Sequence, residues 1–102
     1  MRRQRNIKIV ATLGPSSSDY ETIKALHLAG ADVFRLNMSH GAHEEIAERH
    51  KVIRQIEAEL NSPIAILADL QGPKLRVGPF ENGVEELTEN GKFRLDLKDD
   101  VG

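Results

Sequence analysis

Residues 33–39 read VFRLNMS, an apolar stretch with polar residues at every second position, and residues 40–41 (His-Gly) follow directly. Side chains alternate between the two faces of a β-strand, so this stretch predicts a strand with Arg35, Asn37 and Ser39 on one face. The apolar residues between them would lie on the other face, against a core. The pattern therefore predicts a strand that ends in a cluster of polar groups.

Two further stretches are predicted to form strands. Residues 7–13 (IKIVATL) are rich in β-branched residues and end at a Gly-Pro pair, and residues 64–68 (IAILA) are almost wholly apolar. Residues 16–19 (SSSD) supply helix N-caps ahead of an apolar helical pattern that Gly30 would end. Residues 42–60 follow a second helical period, with a solvated face on which Glu45 and Arg49 would pair. The β-α-β-α-β order predicts parallel strands joined by helical crossovers.

Charged and polar residues lie where these predicted strands end. A parallel sheet is normally covered on both faces, so a buried Arg35 would need an anion or an acid beside it. Ligands of α/β sheets and barrels bind at the carboxyl ends of the strands, where Asn37, Ser39 and Asp69 would also lie. The sequence therefore favours a site for a charged small molecule. A structural ion pair between Arg35 and Asp69 is the alternative reading.

Composition argues against several classes of protein. The 102 residues carry a net charge of −2 and no cysteine, and no apolar run approaches the roughly 20 residues of a membrane span. We therefore expect a cytoplasmic protein that binds neither nucleic acid nor membranes. The basic start, MRRQR, is interpreted as a solvated tail, with a nucleic-acid-binding arm as the alternative.

The four histidines do not form a recognisable site. His40 and His43 lie three positions apart, but no third metal ligand accompanies them, so a zinc site is not expected. His27 is expected at the boundary of the first helix's apolar stripe. His50 is expected to pack on the apolar side of the second helix or to reach a carboxylate.

The pattern changes after Gly78. Asn-Gly pairs at 82–83 and 90–91 are turn signals, and they bracket residues 84–87 and the alternating segment 92–97. The sequence therefore predicts one domain over residues 1–78 and the incomplete start of a separate antiparallel β domain over residues 79–102.

Three blocks of this sequence together resemble the N-terminal region of the pyruvate kinase family: residues 8–17 (KIVATLGPSS), 35–41 (RLNMSHG) and 69–78 (DLQGPKLRVG). They occur in the family's order and spacing, which is more specific than any single short motif. The resemblance implies an α/β fold: the β-α-β-α-β start of a (β/α)8 TIM barrel, with a small β domain inserted after the third strand.

The resemblance also implies roles for individual residues. Arg35 matches the arginine that contacts the phosphate of phosphoenolpyruvate, and a planar cationic fork suits a phosphoryl group. The residues that match positions lining the phosphates of ATP are Asn37, Met38, Ser39, His40 and Arg76. The implied reaction is the glycolytic transfer of the phosphoryl group from phosphoenolpyruvate to ADP, which gives pyruvate and ATP.

Cations are part of the same resemblance. Asn37, Ser39 and Asp69 match oxygen ligands of a monovalent cation, normally potassium. The family's fourth ligand, often threonine, is here Leu70, which offers only its backbone carbonyl. Members with glutamate at position 74 resemble potassium-requiring enzymes, whereas members with lysine tend to work without potassium. Lys74 is therefore a candidate to replace the ion, with a solvated loop residue as the alternative.

Much of the family's machinery matches no residue of this chain. The catalytic lysine and the acidic Mg²⁺ ligands come from later barrel strands, so residues 1–102 by themselves are expected to be inactive without the remainder of the pyruvate kinase chain. The resemblance implies a homotetramer for the full-length enzyme. A non-catalytic binding or interaction module and a different phosphoenolpyruvate-using barrel enzyme remain the alternatives.

Overall fold

The computed structural model describes residues 3–98, which divide into two units between Gly72 and Pro73. The first unit contains three strands and two helices in the predicted alternating order. Their bounds are β1 Val10–Leu13, α1 Tyr20–Ala29, β2 Val33–Asn37, α2 His43–Leu60 and β3 Ala65–Asp69, with a short 3-10 turn at Pro15–Ser17. The strands are parallel and lie in chain order, β1-β2-β3.

The helices begin and end where the sequence predicted. The carboxylate of Asp19 accepts a hydrogen bond from the Thr22 backbone N–H (2.9 Å), which caps the start of α1. Gly30 ends α1 with a φ of 137°, a backbone conformation that favours glycine. Asn61 ends α2 in the left-handed conformation, with a φ of 45°. Local chemistry therefore determines these helix ends.

Two strands are shorter than predicted, and one prediction about the site is wrong for that reason. β1 begins at Val10 rather than at residue 7, and β2 ends at Asn37 rather than at Ser39. The Asn37 side-chain oxygen accepts the Ser39 backbone N–H (3.0 Å), and the Asn37 carbonyl accepts the His40 N–H (3.3 Å). These bonds form a turn, so Ser39 lies in the turn and not on the strand face.

The helices cover one face of the sheet. Phe34 and Leu36 of β2 are buried there, together with Leu13, Ile23, Ile46, Ile53 and Ile56. Val10 and Leu67, whose side chains lie on the opposite face, remain 53% and 44% exposed. Within the first unit, the core therefore lies between the sheet and the two helices, while the face that carries Arg35 is open.

The basic N-terminal segment is not the solvated tail that the sequence suggested. Met1 and Arg2 lie outside the described residues, but Arg3 and Arg5 both form ion pairs with Asp32, at 3.0 and 2.9 Å. Arg3 and Arg5 also donate to backbone carbonyls at the end of α1. The end of α1 leaves carbonyl acceptors without helical partners, and these guanidinium groups satisfy them.

One histidine prediction is also wrong. His27 is not a boundary residue but is 1% exposed, and its two ring nitrogens lie 2.8 Å from the Ala31 carbonyl oxygen and 3.0 Å from the Ser62 hydroxyl. His50 is exposed on α2, where it lines a cleft beside Ile46 and Ile66, so its predicted place on the apolar side of the helix is not contradicted. The polar ring of His27 is tolerated in the core because both nitrogens have hydrogen-bond partners.

The second unit contains the predicted turns without the predicted strands. Backbone hydrogen bonds of 3.0 Å, from Gly83 to Phe80 and from Gly91 to Thr88, close both turns. The ring centroids of Phe80 and Phe93 lie 6.5 Å apart. No strand is present between residues 73 and 98. The inserted β domain and its boundary at Gly78 therefore stay predictions.

Candidate functional site

The carboxyl edge of the sheet brings together most of the predicted site residues of the first unit. In the register of the strands, Thr12 is opposite Arg35, and Asn37 is opposite Asp69. Paired residues of parallel strands present their side chains on the same face. The register therefore places these four side chains on the open face, close to where β1, β2 and β3 end.

The Arg35 guanidinium is held from both neighbouring strands. It forms an ion pair with the Asp69 carboxylate on β3, and its other terminal nitrogen donates to the Thr12 hydroxyl on β1 (3.4 Å). The alternative reading of the sequence, an Arg35–Asp69 ion pair, is thus present in the structure. It leaves the arginine side chain 31% exposed, with three of its five N–H donors outside these two bonds. A positioned, accessible guanidinium is a suitable group for binding an anion.

The oxygen-bearing residues lie beside this arginine. The Asp69 carbonyl accepts the Met38 N–H (2.9 Å), which joins the end of β3 to the turn after β2. Asn37 and Ser39 belong to that turn, and Leu70 follows β3 directly with its side chain 76% exposed. The set offers an amide, a hydroxyl, a carboxylate and a backbone carbonyl. Oxygen ligands of these kinds suit a hard cation, but the one negative charge among them, on Asp69, is already paired with Arg35.

The part of the chain that the structure describes has no metal site rich in acids or histidines. No group of three or more His, Cys, Asp or Glu side chains within residues 3–98 could hold a metal ion. His40 is exposed in the turn after β2. Lys74 and Arg76, the other two residues implicated by sequence, are exposed in the second unit.

Cavity size alone would direct attention to the opposite edge of the sheet. A cleft of about 1320 Å³ there is lined by the Arg3, Arg5 and Asp32 cluster and by the loop before β3. The Ile9 backbone N–H, which donates to Asp32 at 2.8 Å, is the main cause that lowers the pKa of that carboxyl, and the two arginines lower it further. These groups bind one another, and the cleft lies at the amino ends of the strands. The carboxyl edge, where parallel α/β folds bind ligands, is therefore the better candidate for the site.

One residue near this edge was missed by the sequence reasoning. Arg49 of α2 is 8% exposed, and its Nε donates to the Ser18 hydroxyl (2.9 Å) in the segment between β1 and α1. The predicted Glu45–Arg49 pair is absent, because the Glu45 carboxylate instead accepts the Ala42 backbone N–H (3.2 Å). A signal was available: Arg49 follows Ile46 by three positions and precedes Ile53 by four, so it lies on the apolar stripe of the helix.

The order of the strands narrows the class of protein. Parallel strands added in chain order occur at the start of a β/α barrel and also in one half of a doubly wound sheet, and both classes bind ligands at the carboxyl edge. The comparison with known families separates the two. A family model described as "Pyruvate kinase, barrel domain" matches residues 4–101. The chain belongs to the pyruvate kinase family.

Relatives with this name are similar over most of the chain. A pyruvate kinase of Methylorubrum extorquens is 56% identical over 96 residues, which are 94% of this chain and 20% of that protein. Pyruvate kinase 2 of a Synechocystis species is 54% identical over 78 residues, 76% of this chain and 13% of that protein. The chain thus spans about a fifth of the length of the first of these relatives.

A solved structure supports the same conclusion. A crystal structure described as a pyruvate kinase from Cryptosporidium parvum superposes with a TM-score of 0.67 at 38% sequence identity. The match covers 78% of this chain and 16% of that protein. Separately, no helix within the described residues is both long and apolar enough to cross a membrane.

Proposed function

We propose that this chain contributes the phosphate-binding edge of a pyruvate kinase, which transfers the phosphoryl group of phosphoenolpyruvate to ADP. The observation that carries the proposal is Arg35, a partly exposed guanidinium held by Asp69 and Thr12 at the carboxyl edge of a parallel sheet. Phosphoryl transfer depends largely on positioning and on neutralising charge, and a prepositioned arginine serves both needs.

The neighbouring oxygen atoms fit the monovalent cation that the family resemblance implies. Asn37, Ser39 and Asp69, with the Leu70 carbonyl, would hold potassium and thereby add positive charge beside the transferred phosphate. Lys74 supplies the same charge in our proposal and reduces the need for the ion. Mg²⁺ would be bound by residues elsewhere in a longer chain.

The nucleotide would lie along the turn after β2. Residues 37–40 and Arg76 are the groups that we assign to the phosphates of ADP and ATP. The backbone N–H groups of residues 38–40 already donate within the protein, so side chains carry this assignment. An amide, a hydroxyl, an imidazole and an arginine can all donate to phosphate oxygens. We further propose that residues 79–102 contribute to a small β domain, and that the whole enzyme is a cytoplasmic homotetramer.

A chimeric enzyme tests this function. Residues 4–101 would replace the equivalent segment of the Methylorubrum extorquens pyruvate kinase, which shares 56% identity with this chain. Pyruvate formation from phosphoenolpyruvate and ADP would be followed by coupling to NADH oxidation. We expect the chimera to turn over, and Arg35→Gln to lower kcat/KM for phosphoenolpyruvate by about 100-fold or more, as expected for loss of a positioned charge.

The matched control is Arg54→Gln. Arg54 is also paired with an acid, Glu57 (3.1 Å), but it donates to the Ile64 carbonyl just before β3, at the opposite edge of the sheet. We expect this variant to retain the turnover of the parent chimera. A folded chimera without pyruvate formation would contradict the proposed function and favour a non-catalytic binding module.

A further inference from the structure

Arg49 is a buried cation that the proposed function does not yet use. It is 8% exposed, and none of the ion pairs within residues 3–98 includes it. No side-chain nitrogen of the described residues is both buried and without a hydrogen-bond partner, so the cost here is that of a charge held at low exposure without an acid. A leucine or methionine would pack against the core at lower cost. The position on α2 therefore calls for an explanation other than packing.

The hydrogen bonds of Arg49 lead into the segment between β1 and α1. Its Nε donates to the Ser18 hydroxyl (2.9 Å), and that hydroxyl donates to the Gly14 carbonyl (2.6 Å). The Gly14 N–H donates to the Ser17 hydroxyl (2.9 Å), and the Ser17 N–H donates back to the Gly14 carbonyl (3.0 Å). Residues 14–18, which we call the β1–α1 loop, are thus closed on themselves and tied to α2 by Arg49.

This loop begins at the edge that carries the candidate site. Gly14 follows directly after β1, and Thr12, two positions earlier, accepts the hydrogen bond from Arg35 (3.4 Å). The end of β1 is therefore constrained at two points: at Thr12 by Arg35, and at Gly14 by the hydrogen bonds of the β1–α1 loop. The β1–α1 loop therefore begins two positions after a residue that contacts the arginine which we assign to the phosphate.

We propose that Arg49 is a positioning residue for phosphoryl transfer. From α2 it fixes the β1–α1 loop through Ser18, and its uncompensated charge makes the potential at this edge more positive for anionic substrates. The inference rests on the proposed function and adds to it a residue that touches neither substrate nor the Arg35–Asp69 pair.

Three substitutions in the chimeric enzyme separate the two contributions. Arg49→Gln keeps a hydrogen-bond donor without the charge, Arg49→Lys keeps the charge without the planar group, and Arg49→Met keeps only volume. We expect Arg49→Met to lower kcat/KM for phosphoenolpyruvate by about tenfold, since small misplacements of catalytic groups have effects of this order or larger. Relative to Arg49→Met, Arg49→Gln should restore the parent's kcat but not its KM, because it keeps the hydrogen bond to Ser18 without the charge. Arg49→Lys should restore the parent's KM but not its kcat, because it keeps the charge without the planar group.

Ser18→Ala provides an independent check of the relay. It should reproduce the kcat loss of Arg49→Met, and the double variant should lose no more kcat than either single variant, because both substitutions remove the same contact. Thermal midpoints of all variants exclude an effect of unfolded protein, and Arg54→Gln again serves as the control arginine.

The outcomes distinguish this inference from the function on which it rests. A parent chimera that forms no pyruvate overturns both. An active chimera in which Arg49→Met, Arg49→Lys and Arg49→Gln keep the parent's kcat and KM overturns this inference alone. Variants that lose kcat only in proportion to their loss of folded protein also overturn it, since that result assigns Arg49 to stability.

Discussion

Asp69→Asn tests whether the ion pair with Arg35 serves binding or stability. The amide has nearly the shape of the carboxylate, and the backbone hydrogen bond from Met38 to the residue 69 carbonyl does not involve the side chain. The substitution removes the negative charge that holds the guanidinium. It should therefore leave the sheet intact and free Arg35 to adopt other rotamers.

The magnitudes of the two effects differ. Two unit charges about 4 Å apart attract by roughly 4 kcal/mol at an effective dielectric constant near 20. The side chains here are 31% and 45% exposed, and water reduces the net value of such pairs to about 0.2–1 kcal/mol. Misplacing a catalytic group by about 1 Å can cost about 100-fold in rate. We therefore expect kcat/KM for phosphoenolpyruvate to fall by about 100-fold, while the thermal midpoint falls by only a few degrees.

The assay is steady-state pyruvate formation by the chimeric enzyme, with thermal unfolding of the same preparation. Asp96→Asn is the matched control because it also removes the carboxylate of an Arg–Asp pair, that of Arg94 and Asp96 (2.5 Å), in the second unit. Equal losses of kcat/KM in Asp69→Asn and Asp96→Asn would refute the reasoning. So would a loss of thermal stability in Asp69→Asn large enough to account for the lost activity.

Three further predictions concern other residues. The chimera should turn over in potassium-free buffer and Lys74→Glu should make it potassium-dependent, whereas a parent enzyme rescued only by potassium would show that the lysine does not replace the ion. Since the hydrogen bond from Ile9 lowers the pKa of Asp32 when folded, the carboxylate stabilises the fold above its unfolded pKa of about 3.9, and that stability is lost as the pH falls through the folded pKa. Asp32→Asn should therefore lower stability to urea at pH 7, and this loss should shrink as the pH is lowered below about 4. A loss that does not change with pH would contradict this account. Ile53→Ala, at a side chain with 0% exposure, should cost about 2–5 kcal/mol of unfolding free energy, against less than about 0.5 kcal/mol for the exposed Lys51→Ala on the same helix, measured by urea denaturation.

Features that depend on neighbours in the sequence could be predicted. Asp19, Gly30 and Asn61 mark helix ends because each satisfies backbone groups of its own helix. Arg35 and Asp69 could be placed at one edge because the alternating order of elements implies parallel strands. The resemblance then gave these positions a chemical role that periodicity alone does not provide.

Features that depend on contacts between distant segments could not be predicted. His27 is accommodated in the core by Ser62, which is 35 positions further along the chain. Arg49 finds Ser18 at a separation of 31 positions, and Arg3 finds its acceptors at the far end of α1. The sequence of a helix does not show whether a polar side chain has a hydrogen-bond partner in a distant segment. An exposed position is therefore the natural expectation for such a side chain. Ser39 was misplaced for a local reason, because the Asn37 side chain ends the strand.

The chain-order arrangement of the sheet has a consequence for how the site is assembled during protein synthesis. Val10 pairs with Val33, and Val33 pairs with Ala65. Each strand can therefore pair as soon as the helix and the strand that follow it in the chain have been synthesised. A ribosome adds about 5–20 residues per second and delivers such a segment within seconds, whereas a helix of this size forms in about a microsecond. We therefore expect the pace of translation to determine when Arg35 meets Asp69.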